Sequence, residues 1–303
     1  MRIPRVVLWI IILILLILLI FQIATNREGT EHQIIIEDKE IDQSVKHVAK
    51  IGNHDIHYDD WQQQLFDEYG KKVLTDMVNK EVVLQLAEEK NLEVPEKFME
   101  RELARMYMMH GVLSKEKEEQ LREKWQEQIE YRFFLQELLI EDSAVEDSKL
   151  EEYFDTYKNQ YQFSEMLQFS HITVATQEEA NRVKELLDDG EKFGSLANQY
   201  SIDEDTNEND GYLGYYSDTT NFLPAIYFDI AEELDEGEYS DPYLLNGGYV
   251  IVKLHRILPA IEFTYEEAYR EVRQDVILDE YPSDLNAKDL WNESDVEMIY
   301  EKE

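Results

Sequence analysis

The chain has 303 residues, 43% of them hydrophobic, with 67 acidic against 29 basic side chains and a net charge of −38. That length allows two compact domains and that apolar content can fill their cores, so the charge does not signal disorder. A surface this acidic disfavours nucleic acid and anionic lipid, and the absence of cysteine excludes disulfides, thiolate chemistry and a lipid-modified N-terminal cysteine.

Residues 6–24 are almost wholly aliphatic, and no charge appears from Val6 to Asn26. At ~1.5 Å per residue, a helix here crosses the ~30 Å hydrocarbon core of a bilayer. Arg2 and Arg5 precede it, while Glu28, Glu31, Glu37 and Asp38 follow. The positive-inside rule therefore predicts a cytoplasmic N-terminus and an extracytoplasmic remainder. A cleaved signal peptide is the alternative. The run exceeds the usual ~7–15 residues and no A-x-A pattern follows, which favours an uncleaved anchor within 1–25. Residues 26–44 read as a polar linker.

Next, VAKIGNHDIHYDDW predicts a small hairpin opening into a helix near Asp59, with Asp60 placed to favour its first turn. Trp61, Leu65 and Tyr69, then Val73, Met77 and Leu84, form a one-sided apolar stripe. A connection at 91–95 leads to a helix carrying Leu103 and Met106. A long helix over 115–139 follows, and its charged block SKEKEEQLREKWQEQ reads as a solvated face. A shorter helix, DSKLEEYFDTYKNQY, ends the run.

From 169 to 253 the pattern changes. FSHITV alternates as a strand carrying His171, and the helix after it ends at Gly190. A second helix covers 193–200 and runs into an acidic loop and a Gly-Tyr-Leu-Gly strand. Asn246-Gly247-Gly248 is the turn chemistry that joins two antiparallel strands. Beyond Arg256, TYEEAYREVRQDVILDEY returns to helix, and DVEMIY predicts a closing strand. Helical segments on both sides of a compact α+β unit predict an insertion.

The order of these motifs resembles the parvulin domain of peptidyl-prolyl isomerases. The match is carried by HI at 171–172, F-x-x-L-A at 193–197, Y-S-x-D at 200–203, G-x-L-G at 211–214, G-E-x-S at 237–240 and G-Y at 248–249. The whole layout is similar to membrane-anchored foldases of the PrsA–YacD kind from Gram-positive bacteria, in which a parvulin domain is inserted in a SurA-N-like helical chaperone domain. The fold implied is α+β: an antiparallel four-stranded sheet plus helices over 164–257, and a helical domain over 45–163 and 258–303. The partners implied are unfolded secreted chains containing X-Pro bonds and the membrane, through the N-terminal helix. No nucleic acid, cofactor or metal is implied, and the helical surfaces leave room for a homodimer.

Isomerisation of an X-Pro bond needs neither nucleophile nor cofactor. The planar amide must lose resonance across a barrier of ~18–20 kcal/mol, so a catalyst grips the proline ring and favours the twisted state. The resemblance assigns the polar centre to His171 and Asp203, and an open apolar notch beside them to Leu213, Phe222 and Ile226. A single histidine on an apolar strand is otherwise most often a core residue, and the three apolar residues equally suit a core. The family's second histidine, in a G-Y-H-I pattern, is replaced by Val250, and its hydroxyl positions by Leu245 and Gly247. Valine can neither share a proton nor orient His171, which implies weak or lost activity.

Other chemistries fare worse. Asp203, Asp205, Asn207 and Asn209 alternate as in calcium loops, but neither register has the glycine and glutamate of an EF-hand. His54 and His57 near Asp55 and Asp59 could invite zinc, although capping and surface exposure explain them as well. Two alternatives to the foldase stand: a non-catalytic, peptide-binding chaperone scaffold, and an acidic cation-binding structural protein of the cell envelope.

Overall fold

The computed structural model describes residues 47–279 and 286–298. The expected anchor within 1–25, the linker 26–44 and residues 299–300 of the expected last strand lie outside the described residues. Among those described, no helix is long and apolar enough to cross a membrane. The chain forms two compact units, one up to Lys71 and one from Lys72.

In the first unit, β1 (His47–Ile51) and β2 (His54–His57) form an antiparallel hairpin. Gly52 turns it with a φ of 62°, a left-handed value that glycine adopts without strain. Helix α1 (Tyr58–Leu65) follows, with Asp59 and Asp60 in its first turn, where carboxylates favour the helix dipole. One π-turn, Phe66–Gly70, ends the unit. The apolar stripe read from the sequence is exposed here at Trp61, Leu65 and Tyr69.

Helix α2 (Lys71–Glu89) leads from the first unit into the second, and its inward face is Val82, Val83, Leu86 and Ala87, while Val73 and Met77 are exposed. Asn91, at a φ of 51°, closes this helix, and the Leu92 amide donates back to the Ala87 carbonyl. Helix α3 (Glu96–Met108) starts after Pro95. Helix α4 (Lys115–Leu139) starts at Ser114, whose hydroxyl accepts from the Lys117 amide. Helix α5 is Asp147–Tyr161.

The sheet comprises β3 (Met166–Val174), β4 (Tyr212–Tyr216), β5 (Tyr243–Leu245) and β6 (Gly248–Leu258). It is wholly antiparallel, in the order β4-β3-β6-β5. Asn246 and Gly247 both take positive φ, 53° and 85°, as a two-residue type I′ hairpin between β5 and β6 demands. Alternate residues of β3 face opposite sides. Leu167 and Phe169 enter one cluster with Leu223, Tyr227, Ile230 and Val252. Ile172 and Val174 enter another with α6 (Gln177–Asp188) and α7 (Phe193–Tyr200). Short α8 (Ile226–Ala231) covers the first face.

After β6 the chain returns to helix. A Thr264–Glu267 capping box opens α9 (Tyr265–Leu278). Helix α9 joins α3, α4 and α5 in one core around Phe98, Trp125, Phe133, Phe154 and Val272. Fully buried Arg101 ties this body together, donating to Glu271 at 2.7 Å, Glu102 at 3.0 Å and the Tyr161 carbonyl at 3.0 Å. Arg256 of β6 donates to Glu118 of α4 at 2.9 Å and lies over the Tyr107 ring, fixing the sheet to the helices.

Two local expectations need correction. Strand β6 continues past Arg256 to Leu258 before the chain turns to helix. Residues 295–298 pair in no strand. They are held by side chains instead, with Val296 packed beside Leu290 and Val82 and with Met298 buried.

Candidate active site

His171 sits on β3 opposite Val252 of β6, with its ring on the same face as Phe169. The loop leaving α7 is pinned across it. The His171 amide donates to the Gly211 carbonyl at 2.8 Å, and Gly211 has a φ of 70°. A Cβ there would lie 2.1 Å from the His171 carbonyl oxygen, so only glycine permits this approach. Ser201 accepts from the Thr173 amide at 3.2 Å, which anchors the other end of the loop to β3.

This folding brings Asp203 onto the imidazole. Its Oδ2 lies 2.6 Å from His171 Nε2, and the Thr206 hydroxyl donates to the same oxygen at 2.7 Å. Thr206 Oγ1 is also 3.0 Å from His171 Nε2. On the other side of the ring, Nδ1 lies 2.6 Å from the Tyr227 hydroxyl. Burial pushes the His171 pKa down, and the bond and charge of Asp203 only partly oppose it. Burial alone would raise the Asp203 carboxyl, but the bonds from Thr206, His171 and the Asp205 amide together hold it below its usual range. The pair is therefore a neutral imidazole beside a carboxylate, not an ion pair.

Placement corrects the expected notch. His171 is only 8% exposed, so the imidazole lies beneath the surface rather than in an open pocket. Asp203, whose side chain is 25% exposed, is the accessible member of the pair, and half-buried Leu213 and Ile226 pack at the border of the cluster that holds Tyr227. Phe222 is 91% exposed and walls nothing. One residue further on, Leu223 is buried in the His171-side cluster, and Tyr227 follows it four residues later on the same face. The inward pair is thus Leu223 and Tyr227, one step out of register with Phe222 and Ile226.

Sequence reasoning missed Thr206 and Tyr227. The four-residue spacing of Leu223 and Tyr227 around Pro224 was a signal for the second; nothing local announced the first. Val250 is fully buried in the same cluster and brings no polar atom to the ring. Among the described residues, no group of three or more potential ligands is arranged to hold a metal ion. Asp203 Oδ2 is held by His171 and Thr206.

A four-stranded antiparallel sheet, two helices on its far face and a buried histidine paired with a partly exposed aspartate define a parvulin-type domain carried on a helical body. Residues 145–271 match the model of the PPIC-type PPIASE domain family. Over 254 residues the chain is 31% identical to YacD of Bacillus subtilis (strain 168), a provisionally named peptidyl-prolyl cis-trans isomerase, covering 84% of this chain and 85% of that protein. It is 29% identical over 208 residues to the foldase protein PrsA of Geobacillus kaustophilus (strain HTA426), covering 68% and 69%. The crystal structure of PrsA from Bacillus subtilis, 24% identical, aligns over 84% of this chain and 95% of that one with a TM-score of 0.31, too low to add to the assignment. The chain belongs to the YacD–PrsA family of parvulin-type peptidyl-prolyl isomerases and foldases.

Proposed function

We propose that the chain is an extracytoplasmic foldase, held to the cell membrane by residues within 1–25, whose sheet domain isomerises X-Pro bonds in secreted polypeptides. In this reading residues 164–257 form the catalytic insertion. The flanks 45–163 and 258–303 form a SurA-N-like helical body that cradles the client. Asp203 at the accessible edge is the observation that carries the reading. It is a carboxylate kept ionised by three hydrogen-bond donors over an imidazole whose other partner, Tyr227, packs in the cluster that Leu213 and Ile226 border.

The chemistry follows from amide resonance. The planar imide places partial negative charge on its carbonyl oxygen, and that charge falls as the bond twists. A fixed carboxylate near the oxygen repels the planar form more than the twisted one, so the interaction favours the transition state over the ground state. Leu213 and Ile226 supply the apolar surface for the prolyl ring, backed by the buried Leu223. Asp203 and His171 are the proposed site residues, with His171 holding Asp203 from below.

The non-catalytic scaffold keeps one specific observation in its favour, the fully buried Val250 where the family carries a second histidine. Refolding of a secreted client limited by proline isomerisation separates the readings. A foldase shortens the slow phase at substoichiometric concentrations, and Asp203→Ala abolishes the effect. A scaffold suppresses aggregation equally well in both proteins and leaves the slow phase unchanged.

A further inference from the structure

The loss of the second histidine leaves His171 needing another partner, and the fold supplies one. Tyr227 lies in the first turn of α8, buried, with its ring edge-on to Phe169 at a centroid distance of 6.1 Å. Its hydroxyl is 2.6 Å from His171 Nδ1. The donor and acceptor assignment along this chain is forced. An ionised carboxylate can only accept, so the ring nitrogen facing Asp203 carries the proton. The opposite nitrogen, Nδ1, is then bare and accepts from the Tyr227 hydroxyl. The Thr206 hydroxyl also donates to Asp203, so every proton in the series points towards the carboxylate. Burial and the nearby Asp203 charge push the Tyr227 phenol above its ordinary pKa, which keeps it a neutral donor at physiological pH.

We infer that Tyr227 is the positioning residue of this site: its hydroxyl donates to the bare Nδ1 and fixes the His171 ring with its Nε2–H aimed at Asp203, the service for which Val250 provides no group. The inference rests on the parvulin reading of the site and deepens it. It also removes the reason for expecting a dead enzyme, because the orientation of His171 does not depend on position 250. Tyr227 acts through His171 and, being buried, does not meet the substrate itself.

The test uses the full chain with its imidazole nitrogens labelled by 15N, observed by NMR between pH 6 and 8, beside X-Pro exchange kinetics. The wild-type His171 spectrum is expected to show a protonated Nε2 and a hydrogen-bonded, unprotonated Nδ1. Tyr227→Phe keeps the ring and loses the bond. It is expected to shift Nδ1 to the position of a bare, unbonded nitrogen while Asp203 keeps the proton on Nε2, with a turnover roughly tenfold lower at unchanged KM, the worth of about one net hydrogen bond. Phe169→Leu disturbs the packing of the same ring without touching the bond, and it is expected to keep the wild-type nitrogen pattern. A proton on Nδ1 in the wild type would overturn the inference without need of any variant. A Tyr227→Phe protein with an unaltered Nδ1 resonance and full turnover would overturn it too. If the nitrogens respond as expected but the wild type accelerates no X-Pro exchange, the positioning stands and the isomerase reading fails.

Discussion

Replacing His255 by glutamine is expected to make the sheet domain markedly less sensitive to acid. His255 lies on β6, its Nε2 2.8 Å from the Ser170 hydroxyl across the ladder. Burial, followed by repulsion from the Lys253 ammonium, pushes its pKa down to about 4. The unfolded chain takes up the proton near pH 6.5, so protons favour the unfolded state throughout the interval between the two values. Stability from this group is complete above about pH 6.5 and is lost as pH falls towards 4. At about 1.4 kcal/mol per pKa unit, the difference amounts to roughly 3 kcal/mol. His171, depressed in the same direction, titrates in both proteins and cancels from the comparison. Glutamine keeps a donor for Ser170 and does not titrate. Urea unfolding followed by tryptophan fluorescence at intervals from pH 7.5 to 4 reads the effect. The wild type should lose roughly 3 kcal/mol more than His255→Gln over that range. Parallel curves would refute the claim that a neutral, desolvated imidazole at 255 is part of the folded state.

Three further outcomes follow from the packing. Gly211→Ala forces a Cβ against the His171 carbonyl at a left-handed φ, and it should destabilise the domain and detach the Asp203 loop, visible as lost amide protection at His171. Leu223→Ala should cost roughly 2–5 kcal/mol in chemical unfolding, while Phe222→Ser should stay within about 0.5 kcal/mol; the reverse order would restore the register first read from the sequence. Arg101→Ala strands Glu271 as a buried unpaired carboxylate, while Glu102 keeps Arg105 and Arg132, and should cost roughly 3–5 kcal/mol by the same measurement.

What the sequence made legible was governed by local signals. The long helix begins at Lys115 because Ser114 caps it, and the β5–β6 turn falls at Asn246-Gly247 because few other pairs accept two positive φ values. The register of Leu223 and Tyr227 was hidden because it depends on where α8 makes its first turn after a loop of unconstrained length. Shifting that turn by one residue exchanges an exposed Phe222 for a buried Leu223. Thr206 and Tyr227 reach His171 from 35 and 56 positions away, a relation that periodicity does not encode. The stripe from Trp61 through Met77 shows a related gap: spacing identifies an apolar face but not what, if anything, covers it.

The central claim is that an ionised Asp203, held over the His171 imidazole, lowers the barrier to prolyl rotation. Exchange NMR on a short X-Pro peptide, with the full chain at about one hundredth of its concentration, tests this without a coupled protease. The account requires cis–trans cross-peaks with the wild type that vanish with Asp203→Ala, although both proteins melt as folded chains. Cross-peaks of equal intensity with both proteins, or none with the wild type, would contradict it.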